Sequence, residues 1–155
     1  MTAEPRWLTD AEQRSWRAYV IGTERLRQRL TTELQDTHNL PLADYEVLVR
    51  LSEQENHQMR MTQLADEVAQ SKSRLSHQIS RLEQAGLVRR TCCPNDARGI
   101  LAELTDQGLT HLHQAAPTHV DGVRRHLIDL VTDEERTVLA TIFERVQQHL
   151  DDTAP

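Results

Sequence analysis

The sequence predicts a mainly α-helical protein with one small β-hairpin, an α+β chain in which helices dominate. Three observations predict it. Thr9-Asp10-Ala11-Glu12 and Thr132-Asp133-Glu134-Glu135 both have the Thr-x-x-Glu form of a capping box, each ahead of a long run with apolar residues at three- and four-residue steps. Two shorter helical patterns meet across Ala69-Gln70. Leu87 to Cys92 and Ile100 to Leu104 read as short strands on either side of a turn-forming stretch, Pro94 to Gly99.

Taken in order, the first helix runs from about Asp10 to Asp36, with Trp16, Tyr19, Val20, Leu26, Leu30 and Leu34 along it. Asn39-Leu40-Pro41 interrupts it, and a second helix follows with Tyr45, Leu48, Val49 and Leu51 as its buried side. Glu53 to Gln58 is polar enough for a loop, and Met59-Arg60-Met61 is a short strand or extended lead-in. Thr62 is expected to cap a helix that turns Leu64, Ala65 and Val68 inward. Ser71 is the next N-cap and Gly86 the closing residue of a helix from Lys72 to about Ala85, which makes a helix-turn-helix. After the hairpin, Thr105 caps a long helix through Leu109, Leu112, Ala115, Val120, Val123, Leu127 and Leu130. Pro117 should kink or split it, because proline lacks an N–H and crowds the preceding turn. The last helix carries Val138, Leu139, Ile142, Val146 and Leu150.

A chain of 155 residues is most simply one domain, 1–155. Within it, 42–104 holds the helix-turn-helix and hairpin, while 9–38 and 105–152 are helical. With aromatics at 3% and hydrophobics at 37%, a lone core is thin, which fits amphipathic helices that bury their faces on a second subunit. No apolar run approaches the roughly 20 residues that span a bilayer. The N-terminus MTAEPRWLTDAEQRSW has neither the basic start nor the apolar stretch of a secretory signal. Cys92 and Cys93 are adjacent, a poor arrangement for a structural disulfide, so a cytoplasmic protein is expected.

The net charge of −6 denies the chain a general affinity for polyanions; any nucleic-acid contact must be local. Such a patch exists. From Ser71 to Arg98 the bases are Lys72, Arg74, Arg81, Arg89, Arg90 and Arg98, against Glu83 and Asp96. On the Lys72–Ala85 helix, Leu75, Ile79 and Leu82 fix one buried stripe, so Ser73, Arg74, Ser76, His77 and Arg81 lie on other faces. Ser71, Lys72 and Ser73 sit at its N-terminus, where free amides and the helix dipole favour phosphate. Arg and Lys can reach guanine edges in a major groove, and Ser and His can contact bases or phosphates.

Alone, this helix could be a solvated basic face; the hairpin argues for DNA. Beside a recognition helix it forms a wing able to reach a minor groove, whose negative potential favours arginine. Asp96 would be costly near phosphate unless it held Arg98 in place, so a salt bridge between them is expected. The expected fold is therefore a winged helix-turn-helix with a helical dimerisation region.

These segments resemble the MarR family of winged helix-turn-helix regulators. The resemblance is carried by LADYEVLVRLSE, by MRMTQLADEVAQSKSRLSHQISRLEQAGLVRR, by the wing CPNDARG, by LTDQG and by AAPTHVDGVRRHLIDLVTDEE, in that order. It implies a homodimer built from the first and last helices, bound to double-stranded, pseudo-palindromic operator DNA. It also implies repression of transcription, relieved by a small molecule or an oxidant, with Arg98 as the wing arginine and Asp96 as its acidic partner. In the resembled family the region between dimer base and DNA-binding unit takes small aromatic or amphipathic effectors; here Trp16, Tyr19 and Tyr45 would line it.

Four other readings stand beside this one. Cys92 and Cys93, near Arg89, Arg90 and Arg98, would support a redox-sensing repressor if either thiol were exposed and ionised. His111, His113, His119 and His126 lack the spacing of a metal site, so no metal and no cofactor are expected. No glycine-rich phosphate loop, nucleophile elbow or paired carboxylates suggest an enzyme. A winged-helix adaptor that binds protein instead of DNA is the alternative of a different class; it has no need of Arg74 or Arg98.

Overall fold

The computed structural model describes residues 4–154, so both ends of the expected 1–155 domain, and Met1 to Ala3 of the N-terminal stretch, lie outside the described residues. The element order is α1 (Asp10–His38), α2 (Leu42–Ser52), β1 (Gln58–Arg60), α3 (Met61–Glu67), α4 (Lys72–Gln84), β2 (Val88–Cys93), β3 (Asp96–Leu104), α5 (Asp106–His126) and α6 (Asp133–Asp152), with a 3-10 turn at Ile128–Leu130 before α6. This is a mainly α protein with one small antiparallel sheet, ordered β1-β3-β2. No helix among the described residues is long and apolar enough to cross a membrane.

Local chemistry explains where the helices start. Thr9 Oγ1 accepts the Glu12 N–H at 3.3 Å while the Glu12 carboxylate accepts the Thr9 N–H at 2.8 Å, closing the capping box that starts α1. Thr132 and Glu135 repeat it at α6. α1 runs on to His38 and stops where Asn39 turns left-handed at φ 51°. Gly86, at φ +75°, reverses the chain after α4, a conformation open to glycine at little cost.

Several expectations need correction. α3 starts at Met61, with Arg60 rather than Thr62 at the cap position and no side-chain cap. The reason is register: Arg60 is the last residue of β1, paired with Leu101, and the helix springs directly from the strand. In α2 it is Val47, not Val49, that is fully buried. Pro117 does not split α5, which continues through it to His126 and ends short of Leu130. Pro117 is exposed, so the hydrogen bond it forfeits lies on the face water can reach. The hairpin turn is also tighter than expected: only Pro94 and Asn95 separate the strands.

The chain divides into two compact units, up to His119 and from Val120 onward. The first has a closed core of Leu34, Leu40, Val47, Leu48, Leu51, Leu64, Leu75, Ile79, Leu82 and Val88, each at most 2% exposed. The second is different. α6 buries none of its residues, and Val138, Leu139, Ile142 and Val146 stay exposed along it. Its start is tied to the preceding turn by Arg136, whose guanidinium donates to the carbonyls of Ile128 and Val131 at 3.4 and 3.0 Å.

Candidate nucleic-acid interface

α4 is positioned by what it buries. Leu75 and Ile79 are fully buried and Leu82 is 2% exposed, which leaves Ser71, Lys72, Ser73, Arg74, Ser76, His77 and Arg81 exposed. Ser71 Oγ accepts the Arg74 N–H at 3.2 Å and so satisfies one free amide of the first turn. A polar pair adds to the packing. Asp44 of α2, 8% exposed, accepts from Gln78 Nε2 at 2.8 Å and from Arg81 Nη2 at 3.2 Å on one carboxylate oxygen. Sequence reading missed both Asp44 and Gln78; an acid set between the apolar residues Leu42 and Tyr45 of α2 was the available signal.

Of the six expected bases, Arg81 is paired with Asp44, and Arg89 and Arg90 are also engaged within the protein. Arg89 meets Glu103 across the sheet at 2.5 Å. Arg90, half-buried, donates to Glu83 at 2.5 Å, to the Ser76 carbonyl at 2.7 Å and to the hydroxyls of Ser76 and Ser80 at 3.2 Å. Its backbone N–H also reaches Glu83 at 2.9 Å, and that bond most of all holds the Glu83 carboxyl below its ordinary range. The Glu103 carboxyl is lowered in the same way by the Arg89 guanidinium. Arg90 thus ties β2 to the back of α4, a job that charge alone does not reveal in the sequence.

The wing corrects a second expectation. Pairing across the hairpin steps from Cys92↔Ile100 to Cys93↔Asp96, so Ala97, Arg98 and Gly99 stand out of the ladder as a bulge. Arg98 belongs to this bulge and is exposed. The expected salt bridge from Asp96 to its guanidinium does not form. Asp96 Oδ1 accepts the Arg98 backbone N–H at 3.1 Å, as a short acidic side chain two residues back readily does. Asp96 Oδ2 pairs instead with Arg60 Nη1 at 3.2 Å. The Arg98 amide first, and then Arg60, hold the Asp96 carboxyl below its ordinary value. Gly99 serves closeness rather than turning: a Cβ there would lie 3.0 Å from Cys93 Cβ and 3.1 Å from Arg60 Nη1.

Together these residues wall a cleft of about 340 Å³, with Arg60, Lys72, Ser76, Arg90, Asp96 and Arg98 around it. A second hollow, of about 260 Å³, is lined in part by Arg74, His77, Gln78 and Arg81. The basic residues of helix N-terminus and wing therefore face a common space, which suits a polyanion lying across both.

The other candidates are placed apart from it or from one another. Trp16 and Tyr19 lie ring to ring at 5.8 Å on an exposed stretch of α1. Tyr45 is buried and packs at 4.5 Å against His119; burial pushes the Tyr45 hydroxyl up and the His119 imidazole down. Trp16 and Tyr19 thus meet each other while Tyr45 meets His119, and neither hollow above is lined by any of the three. His111 Nε2 lies 3.0 Å from the His38 carbonyl and His38 Nε2 lies 2.8 Å from Thr118 Oγ1, so these rings join α1 to α5. Cys92 is exposed and Cys93 half-buried, both as free thiols.

Known proteins share this fold. The sequence model of the MarR family matches residues 40–100. The crystal structure of AbsC, a MarR family transcriptional regulator from Streptomyces coelicolor, is 47% identical, covering 96% of this chain and all of that one with a TM-score of 0.91. Sco3205, a MarR family regulator from the same organism solved in complex with DNA, is 41% identical over 97% of this chain and 95% of its own, with a TM-score of 0.93. The transcriptional regulator PecS of Dickeya dadantii is 27% identical over 136 residues, 84% of this chain and 81% of its own length.

Proposed function

The chain belongs to the MarR family of DNA-binding transcriptional regulators, not to any class of enzyme, and on that premise we propose that it is a cytoplasmic, homodimeric repressor, released from a pseudo-palindromic operator by a small aromatic or amphipathic effector. One observation carries the DNA reading: Lys72 at the start of α4 and Arg98 in the wing bulge line the same cleft. In this reading Arg74, His77 and Arg81 read base edges in a major groove, Ser71, Lys72, Ser73 and Ser76 hold backbone phosphate, and Arg98 enters the adjoining minor groove. Arg89 and Arg90 act behind them as braces.

Support for the dimer comes from α6, where Val138, Leu139, Ile142 and Val146 recur at helical spacing and are all exposed. Trp16, Val20 and Ile21 add exposed apolar surface on α1. Such faces are what a twofold interface covers. The half-sites of a dimer would lie about one DNA turn apart, ~10 bp. A dimer seated on a promoter represses by occupying it.

Selection of DNA fragments from a random pool by the purified protein tests the whole reading. An inverted repeat should emerge, Arg74→Ala and His77→Ala should change which bases are preferred, and light scattering should give the mass of a dimer. Selection of no sequence, with Arg74 and Arg98 both dispensable, would favour the adaptor. A monomer at micromolar concentration would remove the dimer. Release of the selected fragment by thiol oxidants, abolished in a variant with Cys92 and Cys93 replaced by serine, would favour redox control over a bound effector.

A further inference from the structure

We infer that Arg60, the last residue of β1, is the positioning residue of the wing: through Asp96 it fixes the bulge that presents Arg98. The inference rests on the reading of Arg98 as a minor-groove contact, and it deepens that reading by naming what holds the contact in place.

The wing needs such a residue because it has almost nothing else. From Thr91 to Leu101 no residue is buried, so no apolar contact of the kind that seats α4 is at hand. Ala97, Arg98 and Gly99 also stand outside the β2–β3 ladder. β1 cannot pair with them, since its register ends at Arg60 opposite Leu101. What remains is Asp96. One of its oxygens takes the Arg98 N–H and the other takes the Arg60 guanidinium, so a single carboxylate links the bulge to the sheet. Arg60 comes close enough to Gly99 that a Cβ there would crowd it, which seats the guanidinium directly against the bulge.

A simpler role for Arg60 is to contact DNA phosphate itself, and the two roles make opposite predictions. If Arg60 acts through Asp96, the two residues behave as one unit. Arg60→Ala and Asp96→Ala should each weaken binding by roughly tenfold, and the double variant by roughly tenfold again relative to wild type, not a hundredfold, as coupled residues do. Asp96→Ala should weaken binding although it removes a negative charge near DNA. If Arg60 is only a phosphate contact, Arg60→Ala alone weakens binding and Asp96→Ala strengthens it.

The experiment measures fluorescence anisotropy of a duplex selected by the wild-type protein, together with backbone ¹⁵N relaxation of the amides of residues 97–99 in the DNA-free protein. The full-length variants Arg60→Ala, Arg60→Lys, Asp96→Ala, the Arg60→Ala/Asp96→Ala pair and Arg98→Ala are compared. The expected result is loss of order at residues 97–99 in Arg60→Ala and Asp96→Ala, retention in Arg60→Lys and Arg98→Ala, and non-additive losses of affinity. Unchanged wing amides in Arg60→Ala, or tighter binding by Asp96→Ala, overturns the inference. If Arg98→Ala binds like wild type while Arg60→Ala still loosens the bulge, the minor-groove reading fails and the positioning role stands. The amides of α4 report folding in the same spectra, so a misfolded variant is recognised as such.

Discussion

Helix α4 and the wing face the same cleft, yet the protein fixes them by different physics. α4 is held by an apolar stripe, Leu75, Ile79 and Leu82, inserted into a closed core. The wing has no buried residue from Thr91 to Leu101 and is held by a strand ladder and a few directional bonds. Burial is non-directional and shared among many atoms, so the solvent face of α4 is free to carry whatever residues DNA requires. Polar bonds at an exposed loop are individually worth little to stability, but they decide where one side chain points. Damage to the helix should therefore appear first in folding, and damage to the wing first in binding.

The largest effect tests the helix half of that contrast. Ile79→Ala should cost about 2–5 kcal/mol of unfolding free energy, because it empties a fully buried site. Urea denaturation followed by circular dichroism measures it, and a loss under about 1 kcal/mol would mean that packing does not hold α4. The wing half comes next. Arg98→Ala should weaken binding to a selected duplex by roughly 1–3 kcal/mol while changing unfolding free energy by less than about 0.5 kcal/mol. Equal losses in both measurements would erase the contrast.

The same contrast explains what the sequence disclosed. Packed elements were legible because periodicity and caps are local signals: Thr9, Ser71 and Thr132 all cap where expected, and the Leu75-Ile79-Leu82 stripe is buried. The wing's internal bonds were not legible. Arg60 and Asp96 lie 36 residues apart, and only the β1–β3 register brings them together. Reading along the chain paired Asp96 with the nearest arginine, Arg98, whereas the short acidic side chain folds back on the Arg98 amide. Arg90 and Glu83 escaped for a related reason, since the turn at Gly86 places strand against helix. Cations could be counted from the sequence; which of them are already engaged depended on the fold.

A smaller effect separates phosphate contacts from base contacts. Lys72 is exposed in the first turn of α4 and lines the cleft. Lys72→Ala should weaken all sequences alike and lower the slope of log affinity against log salt by about 0.9, the share of one released counterion. An unchanged slope with altered sequence preference would move Lys72 from the backbone to the bases, and would show that the helix N-terminus reads sequence.

The smallest effect is confined to the wing and depends on pH. Asp96 is held below its ordinary value of 3.8, first by the Arg98 amide and then by the Arg60 guanidinium, both of which prefer the ionised carboxylate. A carboxyl depressed in the folded state contributes its order above the unfolded-state value and loses it as pH falls through the lower, folded value. At neutral pH the wing is thus fully braced. As pH falls past 3.8, Asp96 should remain ionised after unperturbed carboxyls have protonated, and only below that should the bulge loosen. The group is exposed, so global stability should hardly register its protonation. The amide resonance of Arg98, followed by NMR as pH is lowered, reports it directly. A midpoint below 3.8 that rises toward 3.8 in Arg60→Ala is the expected outcome. A midpoint at or above 3.8 in the unaltered protein would mean that neither bond is made in solution. The wing would then be positioned by its strand ladder alone, and its contrast with α4 would be one of degree.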